Sequence, residues 1–303
     1  MIDSDIILEN DHLTVSIESP GTPDTYCGRR FSWAGNIRQL TWKDQLIFGP
    51  WSTEEKSLDA HDNVAGTAGE FGMGSSGMPT PLGYAEAKVG EGFLKMGVGV
   101  LRRSKEIPYG FFDEYDLIET FPWTTEKTDN SVSFSQKAQF NDYAYDYSYS
   151  FEIGEDSFVT KHSIENTGTK DIVQTHYSHN FLTLANELIG PDCQIEFPFV
   201  PGLGGALPDY LELNDKTLKF RKDLRDTAFY SELSGFGTGI DDNAFTVRNT
   251  KSGIEISAKG DCLLERFHIF ATPDCICPEP FVKIDIAPGQ SFNWQHSYEL
   301  KQI

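Results

Sequence analysis

Hydrophobic and polar positions alternate with a period of two over most of this chain. The pattern is plain at residues 12–17 (HLTVSI), 45–48, 132–134 and 143–153 (YAYDYSYSFEI), and a two-residue period places successive side chains on opposite faces of a strand. In the last of these, Tyr143, Tyr145, Tyr147, Tyr149 and Phe151 line one face, while Asp142, Asp146 and Ser148 line the other. Such a stripe reads first as the packed face of an antiparallel sheet, and second as a platform for a sugar ring. Further strands are expected at 158–164, 174–184, 194–199, 244–247, 253–258, 264–270 and 292–300, separated by turn signals such as Asn166-Thr167-Gly168, Gly190-Pro191-Asp192 and Pro288-Gly289. Helical periodicity is scarce, with one or two turns expected within 211–220. Many short antiparallel strands without helices bury themselves as two packed sheets or as a barrel. With no linker or break in composition, residues 1–303 read as one large all-β domain.

Composition narrows the function classes. The 303 residues hold 46 acidic and 25 basic side chains, a formal charge of -21. That balance argues against nucleic acid and against anionic membranes, both of which call for clustered Lys and Arg. The opening MIDSDIILENDHL has acids where a signal peptide needs bases, and no window approaches a membrane span. The five cysteines, Cys27, Cys193, Cys262, Cys275 and Cys277, lack framework spacing and fit free thiols in a reducing cytoplasm. Cys275 and Cys277 share a strand face. They read as buried side chains sooner than as half of a metal site, because no matching His or Cys doublet occurs elsewhere.

Two places carry candidate chemistry. Glu279 stands between Pro278 and Pro280, after an apolar run and before the alternating Val282, Ile284 and Ile286. The prolines fix φ and forbid a helix, so the segment is rigid and extended. A carboxylate held there and partly buried has a raised pKa and becomes a candidate general base or acid; a surface Glu in a turn between strands is the competing reading. In 175–184 (THYSHNFLTL), His176 and His179 are three residues apart and face opposite ways. His179 shares its face with Tyr177, Phe181 and Thr183, whereas His176 sits with Ser178 and Asn180. Two histidines so placed make a poor metal pair, and one of them beside a buried carboxylate makes an acid/base couple. The other conspicuous stretch, 52–101, is poorly patterned. Its Gly- and Pro-rich segment 66–84 carries Glu70 as its charge, and 90–103 holds Lys95 among apolar residues. Long loops of this kind are commonly binding loops.

The segment SHNFLTLA, residues 178–185, resembles the NHTYFNLAG motif of the aldose 1-epimerases (galactose mutarotases), with His179 on the motif histidine. IENTGTKDI (164–172) is similar to the turn that precedes that motif. CPEPFVKIDIAPGQSFNWQHSYEL (277–300) resembles the last strands of the family, with spacing nearer its hexose-6-phosphate epimerase branch. GRRFSWAGNIRQLTWKDQLIFGPW (28–51) resembles the opening hairpin. The resemblance implies a galactose mutarotase-like β-sandwich, a small-molecule sugar substrate and no metal or other cofactor. It also implies a pair in which Glu279 takes the proton of the anomeric hydroxyl while His179 protonates the ring oxygen.

The chain departs from that pattern in two respects. A histidine followed by glycines and an arginine in a GRxANRI-like segment are both missing. Lys95 is the expected replacement, and Lys95, His176, Arg30 and Glu70 form the candidate sugar-binding set. Two other functions fit the same sandwich, a polysaccharide lyase and a carbohydrate-binding protein without turnover.

Overall fold

The aromatic strand Tyr143–Ile153 pairs on both sides, with Ser131–Phe140 and with Ser157–Asn166, and buries Tyr145, Tyr147, Tyr149, Phe151 and Ile153 on one face. That burial requires a facing layer, since each such ring is worth about 1.5–3 kcal/mol only when water is excluded from it. The computed structural model, which describes residues 5–303 apart from Thr53, Ser76 and Asp226, supplies that layer. A ten-stranded antiparallel sheet runs from Leu211–Asn214 at one edge to Trp123–Lys127 at the other. Facing it is a six-stranded sheet in the order Gly202–Leu203, Phe229–Ser234, Arg266–Ala271, Ile276–Ile286, Ile172–Phe181 and Gly66–Phe71. A four-stranded sheet of residues 6–48 joins the six-stranded one through the Phe48–Leu182 bridge, and three short strands within 92–119 form a small sheet of their own. The main apolar core lies between the two large sheets. No helix among the described residues is long and apolar enough to cross a membrane.

The six-stranded sheet is covered on both faces. Its outer face packs under a second aromatic cluster that includes Tyr26, Phe31, Tyr84, Phe93, Tyr109, Tyr177, Phe181 and Phe281. A strand covered twice loses its polar alternation, and Gln174 to Phe181 are all buried. The stretch 52–101, expected to be largely loop, holds three strands: Gly66–Phe71, Gly92–Lys95 and Gly99–Arg102. Thr53 and Ser76 within it lie outside the described residues. Glycine in Gly66–Phe71 serves close approach, because a Cβ on Gly69 would lie 2.6 Å from His176 Nε2. The expected helical turns in 211–220 are a hairpin, Leu211–Asn214 with Thr217–Phe220. Asp215 at its tip has φ of 50°, a conformation that Asp tolerates in tight hairpins.

Prolines are normally kept out of central strands, yet Pro278 and Pro280 sit in Ile276–Ile286 between two partners. The cost falls on one side. Ile276 exchanges hydrogen bonds with Leu182, so by alternation the nitrogens of residues 278 and 280 also face the Ile172–Phe181 strand, where they have no proton to give. Regular pairing there runs from Ile172–Ile286 to Tyr177–Phe281 and resumes only at Leu182–Ile276. Asn180 fills the gap. Its Nδ2 donates to Ser178 O at 3.1 Å and to Pro278 O at 2.7 Å, and its Oδ1 accepts from Tyr298 Oη at 2.8 Å, in the opposite sheet.

His176 lies between the sheets, fully buried, with ring centroids 4.6 Å from Phe71, 4.6 Å from His162 and 5.0 Å from Trp294. Neither of its ring nitrogens has a hydrogen-bond partner among the described residues. Burial drives His176 and His162 well below the ordinary 6.5, and His296 to about 4.

Two outcomes follow for stability. Asn180→Ala should cost about 3 kcal/mol in urea unfolding, since three bonds worth about 1 kcal/mol each are lost and the buried Tyr298 hydroxyl is stranded; a loss below about 1 kcal/mol would show that the gap closes without it. Histidines held neutral in the fold take up protons on unfolding below pH 6.5, so their contribution is complete above that pH and falls as the pH drops. In His176→Leu the decline in unfolding free energy between pH 6.5 and 5 should be shallower than in the parent, by up to ~1.4 kcal/mol per pH unit. Parallel curves would refute the assignment.

Candidate active site

Continuing the register from Tyr177–Phe281 sets His179 opposite Glu279 at a position without backbone hydrogen bonds, where facing side chains come closest. His179 Nε2 lies 3.1 Å from Glu279 Oε1. Glu279 is in turn paired through the backbone with His268, and His268 with Glu232. One line of side chains thus crosses four strands on the outer face of the six-stranded sheet: His179, Glu279, His268, Glu232.

The surroundings fix the protonation of the pair. His179 stacks on Phe181 at 3.9 Å and meets the rings of Phe31 and Phe270 edge-on at 5.8 and 5.7 Å. It is 5% exposed and Glu279 3%. Burial pushes the Glu279 carboxyl up to about 8, against the pull of Arg30, and pushes the His179 imidazole well below 6.5, with Arg30 adding to the effect. At neutral pH the two groups therefore share one proton, which rests on the carboxyl and is donated to Nε2. Nδ1 of His179 has no partner among the described residues.

His268 backs the carboxylate from the other side. Its Nδ1 is 4.0 Å from Glu279 Oε2 and 3.0 Å from the hydroxyl of Tyr230, and its Nε2 is 4.0 Å from Glu232 Oε2. Burial lowers its pKa to about 4, so it is neutral and polar rather than charged. Glu232 accepts from Arg266 at 2.6 Å.

Three of the four expected sugar contacts, Arg30, Glu70 and Lys95, come together, but chiefly with one another. Lys95 is fully buried; its Nζ donates to Phe71 O at 2.6 Å and lies 3.3 Å from Glu70 Oε1. It does not snorkel to the surface: the amine expected to hold the sugar is engaged with Glu70 and Phe71 inside the wall. Glu70, also fully buried, accepts from Arg30 Nε at 2.8 Å and from Tyr177 Oη at 2.6 Å. Burial raises its pKa, but Arg30, Lys95 and the Tyr177 hydroxyl outweigh that, and the carboxyl stays below its ordinary range. Its charge is held inside the wall by two cations and a hydroxyl. Arg30 is clasped between the rings of Phe31 and Phe111, each 4.5 Å from its Cζ, and also donates to Tyr177 Oη at 3.0 Å. Its Nη1 makes no hydrogen bond among the described residues, so Arg30 is the member of this cluster with a donor to spare. His176, the fourth, is on the opposite face of its strand, inside the sandwich, and cannot reach a ligand bound at the pair.

His268, Tyr230 and Asn180 were not singled out from sequence. Thr272-Pro273-Asp274 is a turn signal that was not taken up from the sequence, and the hairpin it closes sets His268 beside Glu279.

No family model matches the chain, and no curated protein matches it in sequence. Solved structures match it in fold over nearly its whole length. A protein of Escherichia coli K12 provisionally described as an aldose 1-epimerase superposes with a TM-score of 0.64 at 14% identity, over 99% of each chain. A galactose mutarotase-like protein of Lactobacillus casei gives 0.61 at 13%, over 98% of this chain and 100% of the other. The galactose 1-epimerase of Lactobacillus acidophilus gives 0.56 at 11%, over 98% and 94%. On the architecture and these superpositions together, the chain has the galactose mutarotase-like fold.

Proposed function

We propose that this protein is an aldose 1-epimerase-like mutarotase, acting in the cytoplasm, with Glu279 and His179 as its acid/base pair. The observation that carries the reading is the 3.1 Å contact between a nearly buried carboxyl and a nearly buried imidazole. Interconversion of anomers needs a proton removed from the anomeric hydroxyl and one delivered to the ring oxygen at the same time, because either alone leaves a charged intermediate. A pair with one proton does both. Once the proton has passed from Glu279 to His179 across that contact, Glu279 takes the hydroxyl proton while His179 protonates the ring oxygen. The ring opens to the aldehyde, turns about C1–C2, and closes on its other face as the two groups exchange roles. The positive charge of Arg30 favours the carboxylate form of Glu279 that this step uses. Each group contributes on the order of 10²–10⁴-fold, and the reaction needs no cofactor.

A lyase reading finds less support. Its tyrosine base would be Tyr177, which is 1% exposed and hydrogen-bonded to both Glu70 and Arg30.

Glu279→Gln and His179→Asn should each lower catalysed anomer exchange at least about 10²-fold, measured by polarimetry and by magnetisation-exchange NMR on freshly dissolved aldoses. Retention of more than about a tenth of the activity in either would contradict the roles given. The exchange rate should also fall as the pH rises through about 8, where the pair loses its proton, and should persist below pH 6.5, because a second proton enters only well below that value. A rate that climbs steadily through pH 9 would rule out a protonated pair as the active form.

A further inference from the structure

The Glu279 carboxyl stands between two imidazoles and leans to one of them. His179 Nε2 is 3.1 Å from Oε1, whereas His268 Nδ1 is 4.0 Å from Oε2. The two rings lie on the outer face of the six-stranded sheet, one on each strand paired with Ile276–Ile286. A neutral imidazole has one bare nitrogen that accepts a hydrogen bond, so each ring is a place for the carboxyl proton to go. The proposed reaction needs that proton on the His179 side. A second free acceptor beside Oε2 would draw the carboxyl away from the pair.

Tyr230 occupies that acceptor. Its hydroxyl is 3.0 Å from His268 Nδ1, the two rings meet edge-on at 5.4 Å, and Phe281 packs on the imidazole at 4.5 Å. The tautomer follows from what faces Nε2. Glu232 Oε2 lies 4.0 Å from it, and Arg266 holds that carboxylate at 2.6 Å. A carboxylate at this range favours the N–H on Nε2, which leaves Nδ1 bare to accept from the Tyr230 hydroxyl. The lone pair nearest Glu279 Oε2 is then already used. Tyr230 makes this bond from the rim, being 54% exposed, while His268 is fully buried. We infer that Tyr230 is a positioning residue for the acid/base pair: by donating to His268 Nδ1 it leaves His179 as the acceptor of the Glu279 proton. The inference rests on the acid/base reading of Glu279 and His179 and adds the group that keeps their proton between them.

Tyr230→Phe keeps the ring, removes the hydroxyl, and lies at a half-exposed position where folding is not at stake. With Nδ1 free, the Glu279 carboxyl divides between the two imidazoles. Anomer exchange of D-glucose and D-galactose, read by magnetisation-exchange NMR, should fall about 5-fold to 10-fold, the ratio that one hydrogen bond sets. A bond from the protonated carboxyl to His268 favours the neutral form, so the alkaline fall in rate should move upward from about 8, by about one pH unit. The other charged and titratable groups around Glu279 and His268 are the same in both proteins: Arg30, Glu70 and Tyr177 on one side, Arg266 and Glu232 on the other. His268→Leu removes the competing acceptor, so the double variant should exchange within about twofold of His268→Leu alone. A parent-like rate and pH profile in Tyr230→Phe overturns the inference, as does a loss that persists undiminished in the double variant. Nitrogen NMR of the parent gives a check independent of turnover. His268 should carry its proton on Nε2; a proton on Nδ1 overturns the inference and leaves the roles of Glu279 and His179 standing. Exchange of no sugar by the parent above the buffer rate overturns the acid/base reading, and this inference with it.

Discussion

Two missing protons shape this site. Pro278 and Pro280 cannot donate to the neighbouring strand, so the backbone ladder between the strands of His179 and Glu279 is interrupted where those side chains stand. A gap in a central sheet is expensive unless its carbonyls are satisfied by other means. Asn180 satisfies Ser178 O and Pro278 O with one amide group, and Leu182 N satisfies the carbonyl of Asn180 itself. Glu279 keeps its backbone pairing to His268 on the other side. The carboxyl is thus fixed from one neighbour and aimed at the other, a rigidity that loop-borne groups lack.

Burial then sets the charge. A carboxyl and an imidazole in ordinary solvent would at pH 7 be charged and mostly neutral respectively. Here desolvation moves one up and the other down until their order is reversed, and at pH 7 the proton rests on the carboxyl. Arg30 moderates the carboxyl and is itself held by Glu70, Tyr177 and two phenyl rings. The Arg30–Glu70–Lys95 cluster acts on the pair from within the wall, by its field more than by contact with a ligand.

What could be read from the sequence follows from the range of the interactions. Strands with one wet face, such as 143–153, declare themselves by alternation, and the flanking prolines and the motif histidine pointed to Glu279 and His179. The glycine strand 66–71 did not, because a doubly covered strand has no polar face to alternate, and its Gly69 answers to His176, about a hundred residues away. The ion cluster around Lys95 was hidden for a related reason. A lone lysine among apolar residues looks unpaired along the chain, and its partner Glu70 is on a strand that reads as loop. The hairpin 211–220 was hidden by its shortness, and Asn180 by the fact that its work is defined by protons two prolines do not have.

The bond from Tyr298 to Asn180 ties the site to the strand Ser291–Gln302, which lies inside the large sheet between Ile254–Gly260 and Ser157–Asn166. On a ribosome this strand emerges after both of its neighbours and after every strand of the site. Until it arrives the large sheet is split down its middle, and the amide of Asn180 lacks its anchor. Until that strand is threaded home the nascent chain carries His179 and Glu279 in a half-built setting, and the buried environment around the pair is incomplete.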